Sequence, residues 1–477
     1  MPDHDLLFQT FDQDLDVELT EIEGDWPAEL QGEFLRVGPG LQQCGSDPLA
    51  LLDGLGLVAS VSVGRGTPRL RAKLVDSPSL RKARSSGKQS ERFVFTNLPS
   101  RAKNFLNAKL ANSVSHAVYR WAGKLHATDA FGHVALDPQT LASLGPSDLT
   151  GKWRGPPTNT SQMMRYCPTT DRLVTCLVSG APFKRAKVEV FEIDCSGSVA
   201  RTSLGYLPAG TGNVHDVAVT PRNTVLFQFG ELNLGSLLWG AKPAFDTIGY
   251  DPQQTPQLVV LPRDGGAQRV VALPGMFFFH MFNAFERDDG HLVVDCCAYP
   301  GKPSFAATYP PALLERLGIT VEAQRGPRPT RITVAPDGKV TVDERCATAT
   351  EAPSTHPTWH GKPSRYGWSG TTGTDAGSPD PNAYFFFHAI TRIDFETGTA
   401  DTWDAGPRRF VSPVQMVPRP GATREDDGWL LAWVLDAERS RTDIVVLDAA
   451  NPSRGPLATI RNAPALPAVS HVHFSAA

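Results

Sequence analysis

The sequence predicts an all-β body with minor helices, and three observations point there. Its 477 residues include 42 glycines and 40 prolines, about one breaker in six positions, which suits short strands joined by turns and disfavours long helices. Apolar or alternating runs recur at strand length, most of them bounded by Gly, Pro, Asp or Asn. Helix-period stretches are few and short.

In chain order the expected strands cover residues 57–63, 92–96, 173–178, 187–193, 224–229, 258–261, 291–295, 331–334, 430–435 and 443–447. Cys296 and Cys297 are adjacent and are read as strand filling. The best helix candidate is Pro311–Leu317, which opens on the second residue of a double proline. Residues 78–100, basic and Ser-rich, and 370–381 read as exposed loops. Tight turns are expected where Asp137 precedes Thr140, Asp394 precedes Thr397-Gly398 and Asp448 precedes Pro452, a hairpin type common on propeller blades. No strict repeat and no linker-like shift in composition divides the chain, so a single domain over 1–477 is the simpler reading.

Composition also excludes partners. With 46 basic against 50 acidic residues there is no electrostatic footprint for nucleic acid. The first twenty residues carry acidic side chains and no apolar core, and no run of about 18 apolar residues occurs, so neither a signal peptide nor a membrane span is expected. Seven cysteines without framework spacing fit reduced thiols and a cytoplasmic setting.

Of twelve histidines, four sit in unusual company. His215 lies in a strand-like Val-His-Asp-Val-Ala-Val segment, and His280 lies inside the aromatic run Phe277-Phe-Phe-His-Met-Phe. A buried imidazole needs partners for both ring nitrogens, since an unsatisfied polar group costs about 1–3 kcal/mol; a metal on one side and an acceptor on the other would serve. His471 and His473 fall on one face of a terminal strand by period-2 alternation, and such a strand could close a ring and carry a residue to its axis. Taken one at a time, each is as well explained as a hydrogen-bonded core or surface histidine, because no HExxH or Cys-x-x-Cys spacing is present.

Ordered segments across nearly the whole chain nevertheless resemble the carotenoid cleavage oxygenase family, also called the retinal pigment epithelium protein family. They run from Pro27-Ala-Glu-Leu-Gln-Gly through Arg36-Val-Gly-Pro39, Asp53-Gly-Leu-Gly56, Leu136-Asp-Pro-Gln-Thr-Leu141, His215-Asp216, the His280 to Glu286 stretch and Arg365-Tyr-Gly367. Val417-Pro-Arg-Pro420, Glu425-Asp-Asp-Gly428, Val446-Leu-Asp-Ala449 and the His471 segment complete the set. The resemblance implies a seven-bladed β-propeller with a small helical or loop cap over an axial Fe(2+), held by four histidines and open to dioxygen. It implies oxygenative cleavage of a conjugated carbon–carbon double bond.

On that resemblance His215, His280 and His471 carry over as iron ligands, with His473 the alternative at the terminus. Cys167, in Tyr166-Cys-Pro-Thr-Thr-Asp171, falls in the place of the fourth histidine, either as a thiolate ligand or as an ordinary buried thiol beside three imidazoles. The family's three glutamates, which accept from ligand rings, correspond to Glu351, to Asp129 and to Ser412, the last without charge. Thr128, where members that cleave phenolic stilbenes place a lysine, favours an apolar polyene or terpenoid over a phenol. Phe277, Phe279 and Phe386, within the clusters 277–279 and 384–387, are candidate substrate contacts, with His388 near the mouth, although aromatic runs also simply fill cores. Residues 232–240 are a candidate for peripheral membrane contact, the bland alternative being a buried loop.

The expected function is therefore an iron dioxygenase acting on an apocarotenoid-like substrate. The altered site keeps open a non-oxygenative lyase, isomerase or cyclase, and a binder of hydrophobic small molecules.

Overall fold

Innermost strands of a ring of sheets have one edge that faces the axis, and what those edges carry decides the chemistry. The computed structural model describes residues 5–477 apart from 65, 154, 156–157, 182–183, 209–213, 229, 254–255, 323 and 373–385. Its strands form five antiparallel sheets of four or five strands and one of ten strands, with two small two-stranded ribbons beside them. The large sheet divides around Arg409–Val411 into two blade-like groups, one built on Tyr366–Thr372 and Phe387–Asp394, the other on Gly428–Asp436 and Arg441–Asp448. This is the seven-bladed β-propeller.

Both ends of the chain close the ring. His471–Ala476 pairs with Gly32–Leu41, with Val37 opposite His471 and Leu35 opposite His473. Ile22–Gly24 pairs with Pro456–Pro464 in the last blade. Apolar residues seal the seam, where Phe34 stacks on Trp433 at 5.5 Å. Burial at about 25 cal/mol per Å² makes such contacts between blades the main cohesive term.

Nine of the ten expected strands are present, and helix Pro311–Leu317 is found as expected, closed by Gly318 at φ +63°. Phe229, the last residue of the expected strand 224–229, lies outside the described residues. The hairpin turns are Asx turns: Asp394 accepts the N–H groups of Glu396 and Thr397, and Asp137 those of Gln139 and Thr140. Two expectations need correction. Residues 92–96 form a turn rather than a strand, because the completely buried Arg92 guanidinium gathers the carbonyls of Asn107 and Leu237 and the side chain of Asn97. The expected loop 78–100 begins with helix Pro78–Ser86, whose start was written in the sequence: Ser77 caps the N–H of Leu80, and Pro78 fills the first turn. In the other expected loop, Gly370 ends up inside strand Tyr366–Thr372, and residues 373–381 lie outside the described residues. Cys296 and Cys297 are buried in strand Leu292–Tyr299. No helix among the described residues is long and apolar enough to cross a membrane.

Candidate metal centre

Four imidazoles converge at the axis, each at or near the entry to an innermost strand. His116 precedes Ala117–Trp121, His215 precedes Val217–Val219, His280 lies in Phe277–Glu286, and His471 opens His471–Ala476. His280 Nε2 is 3.0 Å from His215 Nε2 and 3.1 Å from His471 Nε2. The His116 ring centroid lies 4.7 Å from that of His215 and 4.5 Å from that of His471. Donor atoms of His116, His280 and His471 all fall within 4.8 Å of one another.

Hydrogen bonding settles the tautomers. The Nδ1–H of His280 donates to Glu351 Oε2 at 2.7 Å, and that of His471 donates to the main-chain carbonyl of His116 at 2.8 Å. In the neutral rings this turns two Nε2 lone pairs toward each other across 3.1 Å. His116 Nε2 is buried with no hydrogen-bond partner. Facing lone pairs and an orphaned ring nitrogen repel or go unsatisfied unless a cation lies between them. Metal–imidazole bonds of about 2.0–2.1 Å at right angles set neighbouring nitrogens about 2.9 Å apart, so the spacing fits.

Burial and the neighbouring groups set the basicity of each ring. Burial, followed by the nearness of the other rings, holds His116 and His215 well below the ordinary histidine range. Burial, with His280 adding, pushes His471 down to about 3. At His280 burial pulls in the same direction, but the Glu351 carboxylate outweighs it and raises the ring's basicity.

Of the expected residues, the structure brings His215, His280, His471 and Glu351 together and places the others elsewhere. Cys167 is not at the centre: its buried sulfur sits 3.3 Å from Arg263 Nη1, within a network that pairs Arg263 with Glu192 at 2.7 Å. The fourth imidazole at the centre is that of His116, which leads into a different sheet. His473 lies two residues along the strand from His471, about 6.6–7 Å away, and packs against Tyr119 at 5.8 Å instead. Asp129 bonds no imidazole. It accepts from Ser113 Oγ at 2.6 Å and from the N–H groups of Val114 and Ala130, folding the turn that presents His116. Ser412 is also turned away, accepting from Trp433 N and donating to the Pro413 carbonyl. Thr128 is fully buried, its hydroxyl facing the carbonyls of Ala117 and Gln162 while its own carbonyl accepts from His116 N. It thus braces His116 and is not a substrate contact.

Ala352, beside Glu351, has φ +55°, a conformation that L residues avoid. It follows the carboxylate that holds His280, as expected of strain kept at a functional site.

Apolar rings cover one side of the centre. Phe279 lies 5.0 Å from His215 and joins Phe305 at 5.6 Å, which in turn packs with Phe95 at 5.0 Å and Phe245 at 4.8 Å. Phe277 lies behind Phe279 as completely buried core, and Phe386 belongs to a cluster with Leu7, Leu51, Phe410 and Leu435 that contains none of the four imidazoles. Tyr384 and Phe385 lie outside the described residues. His388 bonds the Arg409 carbonyl, in contact with Phe410.

The family model of the retinal pigment epithelial membrane protein matches residues 8–476. Apocarotenoid-15,15'-oxygenase of Synechocystis sp. is 29% identical over 474 residues, covering 95% of this chain and 92% of that one. Lignostilbene-alpha,beta-dioxygenase isozyme III of Sphingomonas paucimobilis is 23% identical over 450 residues, covering 92% and 89%. A cobalt-substituted structure of the Synechocystis oxygenase superposes with a TM-score of 0.90 at 27% identity, covering 100% of this chain and 99% of that one. The chain belongs to the carotenoid cleavage oxygenase family, a family of non-haem iron oxygenases.

Proposed function

We propose that this protein is an Fe(II) dioxygenase that cleaves a conjugated C=C bond of an apolar, apocarotenoid-like substrate. The observation that carries the reading is the inward-facing Nε2 pair of His280 and His471, with the orphaned Nε2 of His116 beside it. His116, His215, His280 and His471 would hold the metal, and bound iron supplies the activation of dioxygen beside the alkene. Glu351 keeps the His280 proton on Nδ1 and lends the ring negative charge. The His116 carbonyl does the same for His471 without charge, so two ligands are aligned by one short segment. Phe279, Phe305, Phe95 and Phe245 offer a water-excluding wall against which a polyene lies flat, and an aligned substrate needs little further ordering to react. Lys302 joins that cluster through Phe245, its ammonium 4.7 Å from the ring and bonded to the carbonyls of Phe245 and Ile248.

The test is metal analysis of untagged protein with oxygen uptake in the presence of an apocarotenal. About one iron per chain and substrate-dependent oxygen consumption are expected. Iron without oxygen uptake would favour the lyase or isomerase reading, and no iron after anaerobic reconstitution the binder.

Substrate delivery has its own support. Helix Leu234–Trp239 leaves Trp239 59% exposed beside Phe105 at 51% and Leu106 at 67%, with the Arg101 guanidinium 5.7 Å from the Trp239 ring. Exposed aromatic and aliphatic side chains flanked by Arg101, Lys103 and Lys109 suit contact with an anionic lipid surface. Leu106 N bonds the Leu238 carbonyl, which ties the two segments into one patch.

A further inference from the structure

The third sheet, containing Arg165–Cys167 and Arg172–Ala181, contributes no imidazole to the centre. It contributes Arg165 instead. The guanidinium reaches across the two following sheets, with Nη2 2.9 Å from Asp216 Oδ2, the same nitrogen 2.9 Å from the Met281 carbonyl, and Nε 3.2 Å from the Val217 carbonyl. Asp216 completes the knot: Oδ2 accepts from Met281 N at 2.9 Å and Oδ1 from Val217 N at 2.8 Å. Asp216 follows His215 directly and Met281 follows His280 directly.

The arrangement answers a backbone need. Innermost strands have no further strand on their axial side, so their inward N–H and C=O groups need other partners. At His280 the need is acute, because the ladder between Phe277–Glu286 and Leu292–Tyr299 shifts register on both sides of Met281. Both main-chain groups of Met281 are satisfied by the Asp216–Arg165 pair, whose side chains are 2% and 13% exposed. Two residues before Arg165, Met163 N donates to the His215 carbonyl at 3.0 Å.

We propose that Arg165 and Asp216 are positioning residues that set the spacing of the His215 and His280 ring nitrogens by clamping the main chain one and two residues beyond them. The inference rests on the metal-binding reading above. A bidentate, planar guanidinium can hold two carbonyls and a carboxylate together, whereas an ammonium acts as a point charge.

Arg165→Met and Arg165→Lys test it, each compared with the wild-type protein for Fe(II) affinity by chelator competition and for the visible ligand-field spectrum of the Co(II) form. Arg165→Met is expected to weaken Fe(II) binding by about 10- to 100-fold and to change the Co(II) bands. Arg165→Lys keeps the ion pair and the fold but not both carbonyl contacts, and its effects should fall between the two. Amide exchange at Met281 in the metal-free protein should accelerate in both variants. Unchanged Fe(II) affinity and an unchanged Co(II) spectrum in both variants, even with a lowered Tm, would make the pair merely structural and overturn the proposal. A wild-type protein that takes up neither metal would overturn the metal-binding reading and this proposal with it, a result visible before any variant is made.

Discussion

At His471 the ring proton points to the His116 carbonyl, so loss of the His116 side chain removes a donor without removing that acceptor. His116→Ala should therefore leave His471 aligned and lower Fe(II) affinity by about 10- to 100-fold or more, read by chelator competition. Glu351→Gln keeps an acceptor for His280 but removes the charge. It should lower affinity within a similar range of about 10- to 100-fold while the fold survives. Cys167→Ser should leave iron content unchanged, because the thiol faces Arg263; loss of iron in that variant would restore Cys167 to the centre. Sequence motifs made His215, His280 and His471 legible because each stands in a recognisable run. His116 was not legible, because the family's order of motifs points to the segment around Cys167, whereas this imidazole leads into the neighbouring sheet. A signal was available: His116 follows the polar run Asn112-Ser-Val-Ser115 and directly precedes strand Ala117–Trp121. Asp129 was expected to accept from a ligand ring, but its shorter carboxylate accepts from Ser113 and from the N–H groups of Val114 and Ala130.

Strands were legible as elements because hydrophobic runs and their terminators are local properties. The buried Arg92 cluster was not, since its partners Asn107 and Leu237 lie 15 and 145 residues away in sequence. Helix Pro78–Ser86 offers a direct check on local coding. Ser77→Ala removes the side-chain acceptor for Leu80 N and should cost about 1 kcal/mol, measured by denaturant unfolding. The exposed helix Leu234–Trp239 carries a second check. Replacing Trp239 and Phe105 by Ser should reduce cosedimentation with anionic vesicles while oxygen uptake with detergent-dispersed substrate persists. Equal vesicle binding by the double variant would exclude the patch as the lipid contact.

Across the whole molecule, buried neutral histidines set the acid limit. Burial pushes His126, His133 and His356 down to about 4 and His360 down to about 3. Below the unfolded value of 6.5 the unfolded chain takes up protons that these rings refuse, so their stabilising contribution is present above pH 6.5 and is lost as pH falls toward 3–4. Buried carboxyls act in the opposite sense: burial pushes Asp53 and Glu425 up to about 7 and also raises Asp129, Asp246, Asp295 and Asp443, so their contribution is lost as pH rises through the raised values. His116, His215, His471 and His473 are lowered as well, so in the metal-free protein the lowered rings outnumber the raised carboxyls and the Tm should rise between about pH 4.5 and 6.5 and flatten near 7. A Tm independent of pH over that interval would contradict the burial of these rings.

The strand that closes the ring begins with His471, one of the four proposed ligands. During synthesis His116, His215 and His280 leave the ribosome first, and the donor set stays incomplete until residue 471 has emerged and docked beside Gly32–Leu41. Under the proposed iron binding, circularisation and assembly of the donor set are one event, so iron loading would report that the ring has closed.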